Sequence, residues 1–373
     1  MAESTRLVDV VQQGIDEFIS ERSVELAAIA PELAQLTDLA RDFLSGGKRF
    51  RALFCYWGWQ CAAGIADDFD PLADLDASAD FPGIVLAAAA LEVFHAAALV
   101  HDDIMDNSDT RRGLPSAHRL FEKLHRDGAW TGSGNDFGQS AALLLGDLLL
   151  GWSDELFDTG TGMLSERSAG LAGRVEFNRM RTEVTAGQYL DILEENSWAV
   201  HPEADALTRA HRVIVYKSAK YSVEAPLAIG AALGGGSPAQ LAALRSFGMP
   251  LGVAYQLRDD LLGVFGDPGV TGKPAGDDLR EGKRTVLIAL ARTRLPGHLR
   301  SLVDELLGDP ELDGQQVDMI RTALRDSGAV DEVERIIDHN VALARRALSD
   351  APIAATARAK LLELAETVTH RAA

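Results

Sequence analysis

The stretch Ile84-Val85-Leu86-Ala87-Ala88-Ala89-Ala90-Leu91-Glu92-Val93-Phe94-His95-Ala96-Ala97-Ala98-Leu99-Val100 runs straight into His101-Asp102-Asp103-Ile104-Met105-Asp106. Its alanines and leucines favour a helix, and its apolar residues leave almost no polar face, so the helix reads as a central one covered by others. The segment then ends in a knot of carboxylates. Asp102 and Asp106 stand on one helical face, about 6 Å apart, where the negative end of the helix dipole makes bare carboxylates unwelcome. Such a pair calls for a cation. A hard divalent ion with oxygen ligands fits, and Mg2+ that keeps some waters and shares a substrate phosphate is the simplest choice. The competing reading is a solvated acidic face, but from Ile84 to Val100 Glu92 is the single carboxylate, and the run reads as a buried wall.

Outward from this segment, helical spacing dominates. Arg6–Ile29 places Val10, Ile15, Phe18, Ile19 and Leu26 near one face, and the same period runs through Leu36–Leu44, Ser140–Phe157, Val175–Asn196 and Leu207–Leu233. Strand-type alternation is scarce, and runs such as Ser45-Gly46-Gly47 and Gly234-Gly235-Gly236-Ser237-Pro238 punctuate the helices. A second nearly apolar run, Ala141–Leu150, is expected to lie centrally as well. No Pro/Ser linker or composition shift marks a boundary, so the expectation is an all-α bundle in a single domain over residues 1–373. Two segments resemble each other, an apolar helix followed by paired aspartates, at Leu99–Asp106 and at Ala254–Gly263.

The chain has 373 residues, enough to bury about 75% of its extended surface if it folds as one unit. With 47% hydrophobic and 25% charged residues it is not a disordered chain. Its net charge of −20 repels phosphate backbones and anionic headgroups, which argues against nucleic acid and membrane surfaces as partners. An anionic substrate must then be met by locally placed cations or metal ions. Cys55 and Cys61 are too poorly placed on one helix for a bridge, no secretory or transit signal is visible, and the uninterrupted apolar run Ile84–Leu91 is short for a membrane span. A reduced, cytoplasmic protein with no membrane insertion is expected. The acidic Asp67-Asp68-Phe69-Asp70 beside Pro71 reads as a solvated loop.

Further motifs meet the demand for cations. Arg111-Arg112-Gly113 follows the first acidic cluster, placed to pair with it or to clamp diphosphate oxygens bidentately. Ser45-Gly46-Gly47-Lys48-Arg49-Phe50-Arg51 opens a helix, where glycines let a phosphate approach and Lys48 and Arg51 can converge on it. The second cluster, Tyr255-Gln256-Leu257-Arg258-Asp259-Asp260-Leu261-Leu262-Gly263, is followed by a Gly-rich loop carrying Lys273 and Lys283, which can close over a phosphate and expel water. Asp277-Asp278 read as capping and solvating that loop rather than binding metal.

Together, Gly-Gly-Lys-Arg-x-Arg at 46–51, His-Asp-Asp-x-x-Asp at 101–106 with Arg-Arg-Gly downstream, Lys217-Ser218, and Gln-x-x-Asp-Asp at 256–260 followed by Gly-Lys…Gly-Lys resemble the trans-isoprenyl diphosphate synthases, the polyprenyl synthetase family. Within that family the chain resembles the bacterial geranylgeranyl diphosphate synthases. By motif the resemblance covers about 36–285, and by helical pattern the remaining 286–373. It implies about ten core helices around a deep central cavity, a homodimer, and Mg2+-dependent condensation of isopentenyl diphosphate with an allylic diphosphate (dimethylallyl, geranyl or farnesyl). Carried over, Asp102, Asp106 and Asp259 bind about three Mg2+ ions, with Asp103 and Asp260 as supporting carboxylates. Arg111, Lys217 and Lys273 hold the allylic diphosphate, with Ser218 where the family commonly has Thr. Lys48, Arg51, His95 and Arg112 hold isopentenyl diphosphate, Gln256 faces the reacting carbons, and Lys283 helps close the loop. Gly263 departs from the pattern, standing where many members have a third Asp.

Chain length reads along the same helix, where Ala97 and Ala98 leave room one turn below Asp102 and Phe94 offers a floor another turn deeper. A C20 product, geranylgeranyl diphosphate, is expected. Farnesyl and longer-chain (C25 and above) synthases are the nearer alternatives; a class I terpene cyclase and a non-catalytic regulatory subunit are the more distant ones.

Overall fold

Helix follows helix through the computed structural model of the chain, which describes residues 2–63, 79–111, 113–267 and 276–369. α1 (Ala2–Ile29), α2 (Ala34–Phe43) and α3 (Phe50–Ala63) lead to α4 (Phe81–Met105), the acid-tipped helix. A short hairpin follows, β1 (Thr110–Arg111) paired antiparallel with β2 (Leu114–Pro115). Then come α5 (Ala117–Asp127), α6 (Gly134–Gly162), α7 (Arg167–Ser197) and α8 (Ala206–Val213). A π-helical stretch, Ile214–Glu224, joins α8 to α9 (Ala225–Leu233). The second acidic cluster lies on α10 (Pro238–Phe265), followed by α11 (Asp277–Glu281) and α12 (Val286–Arg294). The chain closes with α13 (Gly297–Leu306), α14 (Gly314–Asp326), α15 (Ala329–Ser349) and α16 (Ala355–Thr369). This is the all-α architecture that the periodicity predicts. Asp67–Asp70 lie outside the described residues.

Two compact units can be distinguished, one of residues 1–176, 226–237 and 353–355, the other of residues 177–225, 238–352 and 356–373. In the first, α4 packs along α6, with α1 and α3 on its other sides. Ile84, Leu91, Val93, Ala97 and Val100 have no exposed surface, the burial expected of an apolar helix walled in by neighbours. One expectation is corrected here. Counting uninterrupted apolar residues stops at Glu92, yet α4 as a whole is long and apolar enough to cross a membrane, with a mean hydropathy of 2.0 over its most apolar 18 residues. Of that window 78% is buried within the protein, so the composition serves a core helix.

The run Ala141–Leu150 also departs from its reading. Ala142, Leu145 and Leu149 form a buried stripe at helical spacing, but Leu143 and Leu144 turn away and remain 50% and 63% exposed. One side of α6 is therefore core and the other is an apolar surface. On α3, Cys55 and Cys61 are buried and form no disulfide, as their spacing predicts, and burial pushes the Cys55 thiol up to about 12.

In the second unit α10 packs against the π-helical stretch and α15. Leu257, Leu261 and Val264 of α10 share a core with Leu287 and Ile288 of α12, Leu324 of α14, and Val333 and Ile337 of α15. Arg258 forks onto Glu334 with bonds of 2.6 and 2.7 Å, pinning α10 to α15 one residue before the acidic pair.

Candidate active site

The last turn of α4 sorts its carboxylates by exposure. Asp103 points inward and is fully buried, whereas Asp102 and Asp106 are half-buried. The buried charge is answered by Arg111, whose Nε donates to Asp103 Oδ1 at 2.9 Å and whose Nη2 bonds the same oxygen. Arg111 Nη2 also lies 3.7 Å from Asp102 Oδ2. The β1–β2 hairpin, which the sequence reading missed, is what turns Arg111 back toward the helix; Gly113 supplies the left-handed residue it needs, with φ of 78°. His101 sits against α6, its Nε2 3.3 Å from the Leu143 carbonyl oxygen, in space open only because residue 146 is glycine. Along α4 a partly exposed strip runs through His95, Ala98, Leu99, Asp102 and Asp106, while Phe94 and Ala97 are buried.

At the start of α3, Gly46 and Gly47 take φ of 65° and 91° and Arg49 a φ of 49°, so the chain turns sharply just ahead of the helix. Lys48 is exposed and Arg51 half-buried. Between them Arg49 is buried and paired with Glu92 of α4, whose other oxygen accepts the Ala52 N–H at 3.0 Å. Glu92 thus caps α3 from α4 and fixes the turn that carries Lys48 and Arg51. Its one signal in the sequence is its isolation as a carboxylate in an apolar helix. Arg112 lies outside the described residues.

In the second unit the π-helical stretch presents Lys217 and Lys220 to α7, where they pair with Asp191 and Glu183, each at 2.5 Å. Neither carboxylate was legible as a partner in the sequence. π-Helical turns gather at functional positions, and this one spans the Lys217-Ser218 motif. On α10, Asp259 is exposed and Asp260 buried, with Asp260 Oδ1 accepting from Gln256 Nε2 at 2.8 Å. Burial pushes the Asp260 carboxyl up to about 8; the Gln256 bond and Lys283 oppose that, and the negative charges of Asp278 and Asp259 add to it. Lys283 pairs with Glu281 at 2.5 Å and lies 3.9 Å from Asp278 Oδ1. Lys273 lies outside the described residues.

No three His, Cys, Asp or Glu side chains among the described residues close into a ready-made metal cage. The donors are nevertheless carboxylate oxygens throughout. Asp260 Oδ2 is buried with no hydrogen-bond partner among the described residues, an atom that a cation or its water would satisfy. Such a set fits a hard divalent cation that keeps several waters and takes its remaining ligands from a substrate phosphate.

The family model described as polyprenyl synthetase matches residues 34–325. A geranylfarnesyl diphosphate synthase of Aeropyrum pernix is 32% identical over 321 residues, covering 86% of this chain and 88% of its own. A geranylgeranyl diphosphate synthase of Mycobacterium tuberculosis is 30% identical over 307 residues, 82% of this chain and 76% of its own. Among solved structures, a geranylgeranyl pyrophosphate synthase from Corynebacterium glutamicum, complexed with isoprenyl diphosphate and magnesium, matches with a TM-score of 0.90 and 36% identity, over 98% of this chain and 99% of the other.

Proposed function

The chain belongs to the polyprenyl synthetase family, and from that premise we propose that it is a trans-prenyltransferase condensing isopentenyl diphosphate with an allylic diphosphate to a product of C20 or longer, geranylgeranyl diphosphate first among them. The observation that carries this is at the end of α4, where buried Asp103 holds the Arg111 guanidinium beside Asp102. One turn thereby offers a carboxylate for a cation and a fork for diphosphate oxygens, the pairing that diphosphate departure requires.

When bound, divalent metal neutralises charge on the departing diphosphate. Asp102, Asp106 and Asp259 would hold it, about three Mg2+ ions in all, with Asp103 and Asp260 behind them. Arg111, Lys217 and Lys273 would bind the allylic diphosphate, and Asp191 sets the direction of Lys217. Lys48, Arg51, His95 and Arg112 would bind isopentenyl diphosphate, whose double bond attacks the allylic carbocation left when the C–O bond to the diphosphate breaks. A proton then passes to the released diphosphate. Gln256, fixed by its bond to Asp260, would line the path of the reacting carbons. Apolar walls keep out the water that would trap the cation.

Residues 1–373 are read as one polyprenyl synthetase domain, supported by a family match that runs through both compact units. A cytoplasmic homodimer completes the proposal, with the exposed Leu143 and Leu144 of α6 available to a second copy. The test is incorporation of labelled isopentenyl diphosphate into a prenyl diphosphate. It is expected only when an allylic primer and Mg2+ are both present, and incorporation that survives chelation would refute the metal assignment.

A further inference from the structure

We propose that Asp278 supplies the third carboxylate of the α10 acidic cluster, in the space left open by the absent side chain of Gly263. The proposal rests on the reading of a metal-dependent diphosphate site. Gly263 follows Asp259 by four residues, so a side chain there would share the face of Asp259. A Cβ built on Gly263 would overlap Asp278 Oδ2, and Oδ1 of the same carboxylate lies 2.9 Å from that point. The carboxylate therefore stands where the first atoms of a residue-263 side chain would be. Any side chain at 263 and the present position of Asp278 exclude each other.

Asp278 is held there by its backbone. It opens α11 with Asp277, the Lys283 N–H donates to its carbonyl oxygen at 3.1 Å, and the next residue, Leu279, is buried and accepts from the Gly308 N–H at 2.9 Å. The ligand is indicated independently by Asp260, 6% exposed, whose Oδ2 has no hydrogen-bond partner among the described residues and whose charged neighbours are Asp278, Asp259 and Lys283. Two further carboxylates, Asp259 and Asp278, beside this buried orphan oxygen leave a place for a cation or its bound water. The third carboxylate thus comes from the segment after the Gly-rich loop instead of from α10, which makes the position of α11 part of cation binding at this cluster.

Mn2+ titration followed by electron paramagnetic resonance, with inorganic diphosphate present, tests this on the full chain without turnover. Asp278→Asn is expected to weaken Mn2+ binding by about ten- to a hundredfold while circular dichroism and thermal unfolding stay close to wild type. Gly263→Asp combined with Asp278→Ala, which returns a carboxylate to α10, should recover most of the affinity lost in Asp278→Ala alone. An Asp278→Asn isotherm matching wild type, or a folded double variant no better than Asp278→Ala, overturns the proposal. A wild-type chain that binds Mn2+ in this way but elongates no primer would refute the prenyltransferase reading and leave the Asp278 assignment standing.

Discussion

Arg49 Nη1 and Glu92 Oε2 lie 3.5 Å apart, with 4% of each side chain exposed. Because Glu92 also caps α3 through the Ala52 N–H, this one carboxylate joins the helix bearing the acidic cluster to the turn bearing Lys48 and Arg51.

Glu92→Gln keeps the shape but leaves Arg49 a buried, unanswered charge. Breaking a buried pair from one side costs about 3–5 kcal/mol. Urea unfolding should show a loss of that order, and the surviving folded protein should have a raised KM for isopentenyl diphosphate.

Asp103→Asn removes the charge that orients Arg111. An amide in that place is expected to lower kcat/KM for the allylic primer by about ten- to a hundredfold, with a smaller effect on KM for isopentenyl diphosphate. Steady-state kinetics with each substrate varied in turn separates the two.

These two predictions also show what the sequence could and could not convey. The α4 segment was legible because composition and period are local properties, as were the helical fold and the two unbridged cysteines. The Arg49–Glu92 pair joins residues 43 positions apart, and the Lys217–Asp191 pair residues 26 apart, so neither leaves a local trace. Leu207–Leu233 read as one helical run because apolar spacing does not distinguish an α-helix from the wider π-helical turns at Ile214–Glu224. Gly263 was visible as a departure, but only the fold reveals that Asp278 fills its space. The outward face of α6 was misjudged since apolarity marks a surface to be covered without saying by what.

Cys55 gives a pH dependence with a definite sign. Burial favours the neutral thiol, raising its pKa from 9.0 to about 12 in the folded protein. Its contribution is therefore complete below pH 9 and is lost as the pH rises toward 12, at up to about 1.4 kcal/mol per pH unit. The stability difference between wild type and Cys55→Ala, measured by urea unfolding from pH 7.5 upward, should shrink above pH 9. A difference that stays constant to pH 10.5 would contradict the assignment.

Phe94 lies about 12 Å along α4 from Asp102 and is proposed as the floor that limits chain growth. Phe94→Ala should shift products toward longer chains by one or more C5 units, read by mass spectrometry of the dephosphorylated alcohols. An unchanged distribution from an active, folded variant would remove Phe94 from that role.

Product analysis of the purified chain, supplied with Mg2+, isopentenyl diphosphate and, in separate reactions, the C5, C10 and C15 allylic primers, decides whether it elongates allylic diphosphates. The expected outcome is all-trans prenyl diphosphates of C20 or longer, with geranylgeranyl diphosphate prominent. Absence of elongation from every primer, or release of a hydrocarbon from geranylgeranyl diphosphate alone, would contradict it.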